Sequence, residues 1–174
     1  PHRADLLAQA VASVNAQTVP CAHLIGVDAN SSVAHVRNRL LNAADTEWVA
    51  FLDDDDLLDP NHIEALLAHA EQTGADVAIP HCRFAGPALP AGYYNREFTR
   101  ADLRSHGVFP ITVLARRRAL LTAAGFREGD KWEDWALWNR TADLGFSFSV
   151  LPTVTWTYTT ADAADRRTTL LHAH

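Results

Sequence analysis

The segment Trp48-Val49-Ala50-Phe51-Leu52 is apolar, partly β-branched and aromatic, and runs straight into Asp53-Asp54-Asp55-Asp56. A short apolar run of this kind reads as a buried strand. With Asp59, the strand is followed by five carboxylates in seven residues. In open α/β sheets, ligands bind at the carboxyl ends of strands, so the charge gathers where a ligand would sit. Like charges this close oppose one another's ionisation, and a bound cation reverses that penalty. Asp53 to Asp56 therefore point to a hard divalent ion, Mg²⁺ or Mn²⁺, completed by substrate phosphates. Asp59 has a simpler reading. It precedes Pro60 and the apolar-periodic stretch that begins at Ile63, so it is expected as a helix N-cap with Pro60 as the first helical residue.

The rest of the chain alternates. Residues 4 to 17 carry Leu6, Leu7, Ala10, Val11 and Val14 at helical spacing. His23 to Val27 reads as a strand, Val33 to Ala44 as a helix, and Pro60 to Thr73 as a helix stopped by Gly74. Asp76 to Pro80 reads as a strand. This α-β-α-β-α-β order predicts a mainly parallel sheet flanked by helices. Residues 83 to 107 look like a surface excursion. Beyond them, a strand is expected at Ile111 to Leu114, a helix at Arg117 to Ala124 and a helix at Trp132 to Leu144. Phe146 to Leu151 and Val154 to Tyr158 are expected as late antiparallel strands, in a hairpin. The tail from Thr159 is polar and is expected to be poorly ordered. The alternation calls for a strand ahead of the first helix, and that strand is missing from the sequence.

At 174 residues the chain is expected to be a single domain. A net charge of −6 argues against a general nucleic-acid surface. No run approaches the length of a spanning helix and no leader stands at the start, so a cytoplasmic protein is expected. Cys21 and Cys82 belong to no metal-type pair and are expected as free thiols. The nine His residues show no recognised ligand spacing, so structural or solvent roles are expected for each.

Several groups remain that can carry chemistry. Asp28 ends the first predicted strand, where it can accept hydrogen bonds from a base or ribose, or simply form a turn. Arg37 and Arg39 flank Asn38 near a helix N-terminus, which suits a diphosphate or a solvated helix face. Asp130-Lys131-Trp132-Glu133 fits a capping pattern, which would make Glu133 structural. Asp134 has no such duty and is a candidate general base toward a hydroxyl. Its place at a helix start favours the anion, so its basicity must come from a closed site. Trp132, Trp135 and Trp138 recur every three residues on one broad face, as core or as a platform for a sugar ring. Asp55-Asp56-Leu57-Leu58-Asp59 matches the D-D-x-x-D signature of prenyl and terpene synthases. That motif belongs on a long helix, and here a strand precedes it and Pro60 follows it. Neither a dinucleotide fingerprint nor a P-loop is present.

Taken in order, Gln17-Thr18, Asp28, Arg37-Asn38-Arg39-Leu40, Trp48 to Asp56, Gly125-Phe126-Arg127 and Glu133-Asp134-Trp135-Ala136-Leu137-Trp138-Asn139-Arg140 resemble a family 2 glycosyltransferase. The resemblance covers roughly residues 1 to 158 and implies the GT-A fold. It also implies a nucleotide-sugar donor, UDP- or another NDP-sugar, and metal-dependent inverting transfer to an acceptor hydroxyl. By position, Asp28, Arg37, Asp53 and Asp54 would lie beside the nucleotide. Asp53 and Asp55 would hold the metal, and Asp134 would be the base. Glu133, Trp135 and Trp138 would face the acceptor. Two other readings fit the residues: a non-catalytic nucleotide-sugar or metal-binding module, and a nucleotidyltransferase on a similar sheet.

Overall fold

The computed structural model describes residues 3–27, 30–86, 94–105, 107–159 and 169–173. Along the chain these form α1 (Arg3–Asn15), β1 (Ala22–Gly26), α2 (Val33–Ala43), β2 (Trp48–Asp53) and β3 (Leu57–Leu58). There follow α3 (His62–Thr73), β4 (Val77–Ala85), α4 (Arg100–Ser105), β5 (Leu114–Arg116) and α5 (Arg117–Thr122). The last elements are α6 (Glu133–Asp143), β6 (Phe148–Thr159) and β7 (Thr169–Ala173).

The strands make one sheet in the order β1-β7-β2-β5-β4-β6-β3. β4 and β6 pair in parallel, and every other adjacent pair is antiparallel. Tracing directions through the ladder, β1, β2, β4 and β6 all run the same way. This is the shared direction that helix-strand alternation demands. β7, β5 and β3 are interleaved with the opposite sense, which makes the sheet mixed. β7 lies between β1 and β2. Gly26 and Asp53 are both in register with Thr169, so the ends of β1 and β2 still lie level on one edge.

β2 is buried along its length up to Asp53. Its side chains alternate between faces, as strand geometry requires. Val49 and Phe51 join the core under α2, α5 and α6 with Leu40, Leu41, Leu120 and Leu137. Trp48 and Ala50 pack on the other face against Ile63, Leu66 and Ala70 of α3. A third cluster sets Ala10 and Val14 of α1 on Leu52, Leu58 and Trp156. Gly26 lets α2 close on β1, since a Cβ there would come within 2.5 Å of Val36 Cγ1.

Four local expectations change. The strand expected at Ile111 to Leu114 begins only at Leu114. Pro110 supplies no N–H for a ladder, and Val113 N donates to Ile111 O at 2.9 Å, a tight three-residue turn. The late hairpin is one strand, β6. Its register against β4 jumps from Leu151 to Val154, so Pro152, which has no N–H to donate, sits in a bulge. β4 itself extends five residues past the expected end at Pro80. Finally, α3 starts at His62 rather than Pro60, and Asp59 is not its cap. The Asp59 carboxylate instead takes both guanidinium nitrogens of Arg83, at 2.6 and 2.7 Å. The capping is done from afar, where Gln17 Oε1 accepts from Ile63 N at 3.0 Å and Gln17 Nε2 donates to Asp59 O at 2.8 Å. The stop at Gly74 is as expected, with φ at 70°.

Candidate active site

β2 delivers Asp53 to the sheet edge, and the chain turns at Asp54-Asp55, with Asp56 N donating to Asp53 O at 3.1 Å. The four aspartates then divide by burial. Asp54 and Asp56 are each 1% exposed, whereas Asp53 and Asp55 keep solvent-facing surface. Asp54 was expected beside the nucleotide, and it instead faces inward, accepting from Arg3 Nη2 at 2.8 Å. Asp56 accepts from Thr159 N at 2.7 Å, and Thr159 Oγ1 donates to Asp55 O at 2.5 Å. The end of β6 therefore clamps the turn. Burial, and next the Asp56 carboxylate, push the nearby Cys82 thiol up to about 12. Cys82 and Cys21 are both free, as expected. Asp53 to Asp59 form no helix, which removes the prenyl-synthase reading.

Arg37 is the residue that joins the two halves of the site. It is 4% exposed. Its Nη2 donates to Asp53 Oδ1 at 2.8 Å, and its Nη1 donates to Glu133 Oε1 at 2.8 Å. The guanidinium lies 5.4 Å from the centre of the Phe126 ring. Its bonds in the protein thus run to two carboxylates. Glu133 is spent on this bridge and not on a capping box. Trp132 occupies the N-cap of α6 with no side-chain cap bond, and Asp130 pairs with Arg140 at 3.0 Å.

Asp134, the next residue of the helix, lines a pocket of about 250 Å³ with Tyr94, Ser105, Gly107, Phe109, Trp132 and Trp135. Burial pushes its carboxyl above the usual range. The Arg37 charge pulls it back, and Glu133 and Asp53 add to the rise. Asp134 keeps some open area toward the pocket, but crowding outweighs the helix-end effect, which alone favours the anion. The result is a more basic carboxylate facing a small aromatic chamber. The three tryptophans expected on one face part company. Trp132 is 59% exposed, Trp135 lines the pocket while its Nε1 donates to Leu103 O, and Trp138 is 1% exposed in the core. Trp138 is thereby removed from the acceptor side. Asp28 lies outside the described residues.

Two residues escaped the reading of individual positions. Asn38 Nδ2 donates to Phe126 O at 2.7 Å, and Phe126 N donates back to Asn38 Oδ1 at 2.9 Å. Arg140 donates to Ala123 O at 3.1 Å and to Gly125 O at 2.5 Å. Both stood inside the motif strings. Their effect is to tie α2, the Gly125-Phe126 turn and α6 into one frame behind the acidic turn.

Chemically, Asp53 and Asp55 are oxygen donors suited to a hard cation. Among the described residues, no group of three or more His, Cys, Asp or Glu is arranged to hold a metal. A cation here would take one or two protein carboxylates and fill its shell from outside the chain.

A mixed sheet with an acidic turn at its edge, and a carboxylate pocket framed beside that turn, is the GT-A glycosyltransferase fold. Residues 20–129 match the profile of glycosyl transferase family 2, and the chain belongs to that family. It is 34% identical over 97 residues to the succinoglycan biosynthesis protein ExoO of Rhizobium meliloti (strain 1021), covering 56% of this chain and 24% of ExoO. Among solved structures it is similar to TarS of S. aureus, residues 1–349, with a TM-score of 0.70 at 18% identity over 90% of this chain and 57% of that one. It is also similar to the mannosyltransferase PcManGT of Pyrobaculum calidifontis, solved with GDP-Man and Mn²⁺. That match has a TM-score of 0.66 at 15% identity, over 92% of this chain and 55% of that one. The chain thus spans about a quarter of the curated relative and a little over half of these solved chains. No described helix is long and apolar enough to cross a membrane.

Proposed function

We propose that residues 1–174 act as one glycosyltransferase domain, moving a sugar from a nucleotide-sugar donor to an acceptor hydroxyl with inversion. The observation that carries this is the Arg37 bridge, which sets the partly buried Asp53 beside the helix start that bears Asp134. Donor-side and acceptor-side groups are thereby held in one frame, which is what an in-line displacement needs. Support for the donor class comes from relatives of the same fold. TarS has been solved with UDP-GlcNAc and PcManGT with GDP-Man and Mn²⁺. In this reading Asp53 and Asp55 would hold Mn²⁺ or Mg²⁺, whose chemistry is to neutralise the departing diphosphate.

The chain's own residues do the rest. Asp134 takes the proton from the acceptor hydroxyl as that oxygen bonds to the anomeric carbon. The bond from that carbon to the diphosphate breaks, and its electron pair leaves with the nucleotide. Trp132, Trp135 and Phe109 wall the chamber in which the acceptor waits. Arg37, being committed to Asp53 and Glu133, acts behind the nucleotide and not on it. Asp54 anchors the turn.

Two variants test this. Asp55→Asn is expected to abolish Mn²⁺-dependent binding of UDP or GDP, followed by calorimetry. Asp134→Asn should bind the same nucleotides nearly as well, while transfer falls by ~10²–10⁴-fold. Because burial raises the Asp134 pKa, the ionised form costs stability at neutral pH. Asp134→Asn is therefore also expected to melt higher than the parent. Slow metal-dependent release of nucleoside diphosphate from a nucleotide-sugar by water needs no acceptor and reports turnover directly. Its absence with every common nucleotide-sugar would leave only a binding module.

A further inference from the structure

Three carboxylates and one cation meet behind the acidic turn. Asp53 and Glu133 each take one nitrogen of Arg37, and Asp134 lies within electrostatic range of the same guanidinium. Arg37 is buried and cannot lose its proton, so it is a permanent positive charge beside Asp53. A divalent ion at Asp53 would compete with it for the same carboxylate. One oxygen, Oδ1, is already engaged, and the field around the other is set by how much of the guanidinium Glu133 claims.

We infer that Arg37 is a positioning residue that holds Asp53 in reserve, so that the free protein captures a divalent cation weakly and takes it up firmly only together with a diphosphate. This rests on the metal-and-donor reading proposed above and adds the order of assembly. The physical reason is charge balance. With Arg37 in place, Asp53, Glu133 and Asp134 are partly neutralised, and the attraction for a cation is muted. The negative charge of a diphosphate restores it. Removing Arg37 should restore it too. Neutralising Glu133 should do the opposite, because the guanidinium then falls wholly on Asp53. A residue that merely kept the fold together would weaken cation binding in both variants. Opposite signs separate the two roles.

The test is a Mn²⁺ titration of the full chain, with free Mn²⁺ followed by electron paramagnetic resonance, alone and with UDP or GDP. The parent is expected to bind Mn²⁺ weakly alone and more tightly with one of the nucleotides. Arg37→Met should bind Mn²⁺ alone more tightly than the parent, on the order of tenfold, and gain less from the nucleotide. Glu133→Gln keeps an oxygen that accepts from Arg37 Nη1, and should bind Mn²⁺ alone several-fold more weakly. Equal or weaker Mn²⁺ binding by a folded Arg37→Met overturns the inference and leaves the donor reading intact. If Arg37→Met does not fold, unchanged or tighter binding by Glu133→Gln overturns it. A parent that binds no Mn²⁺ with either nucleotide overturns the metal reading and this inference together.

Discussion

His62 shows how one buried side chain ties stability to pH. It is fully buried, with Nδ1 2.8 Å from Thr155 Oγ1. Burial lowers its pKa from 6.5 to about 4. The folded protein therefore keeps the ring neutral at pH values where the unfolded chain has taken up a proton. The associated stability is present above pH 6.5 and is lost as pH falls from 6.5 toward about 4. The full loss is roughly 3 kcal/mol. Urea melts of the parent across this window should show the decline, and His62→Gln should flatten it. A parent whose midpoint is constant between pH 7 and 4 would contradict the assignment. His62 and His69, which lies 2.9 Å from Ser149 Oγ, both have the structural roles that their lack of ligand spacing suggested.

At the scale of elements, two glycines at helix ends make a controlled comparison. Gly74 closes α3 at φ 70° with open space where a Cβ would sit. Gly125 follows α5 at φ 60°, and a Cβ there would press on Asn38 Oδ1. Gly74→Ala should cost about 1 kcal/mol for the left-handed backbone alone. Gly125→Ala carries the same backbone cost and also displaces Asn38, which holds both the N–H and the carbonyl of Phe126. It should cost at least another ~1 kcal/mol by disturbing those two bonds. Thermal melts of the pair check this, and equal losses would mean that the Asn38 frame yields freely. Helix starts tell the complementary story. Ser32 caps α2 locally, accepting from His35 N at 3.1 Å. α3 is instead capped by Gln17, a residue of the α1–β1 connection.

Over the whole molecule, the sheet is uneven in support. β4 and β6 share a parallel ladder from Val77 to Ala85, the longest among the described residues. Among the described residues β1 lies at the sheet edge, paired only to β7, with Ile25 47% and nearby Val27 61% exposed. Native-state hydrogen exchange should therefore find the amides of β4 and β6 protected near the global limit and those of β1 opening first. Protection of β1 equal to that of β4 would argue against this ranking. The sequence by itself determined the elements whose signals are local: the apolar run of β2, the carboxylates that end it, the period of α1 and α2, and the Gly74 stop. It also carried the family, because the motif strings are contiguous. What it left open depended on partners distant along the chain. Asp59 and Asp130 looked like caps because capping is a local pattern, but Arg83 and Arg140 offer each a charged bond that outcompetes it. Arg37 looked available to a ligand because nothing nearby in sequence shows the two carboxylates, 16 and 96 residues away, that enclose it. Trp135 and Trp138 share a helix and a spacing, and only the packing of Phe109 and Phe148 around Trp138 decided which one joined the core. Period and propensity act over a few residues, whereas burial and charge pairing are settled by whatever the folded chain brings alongside.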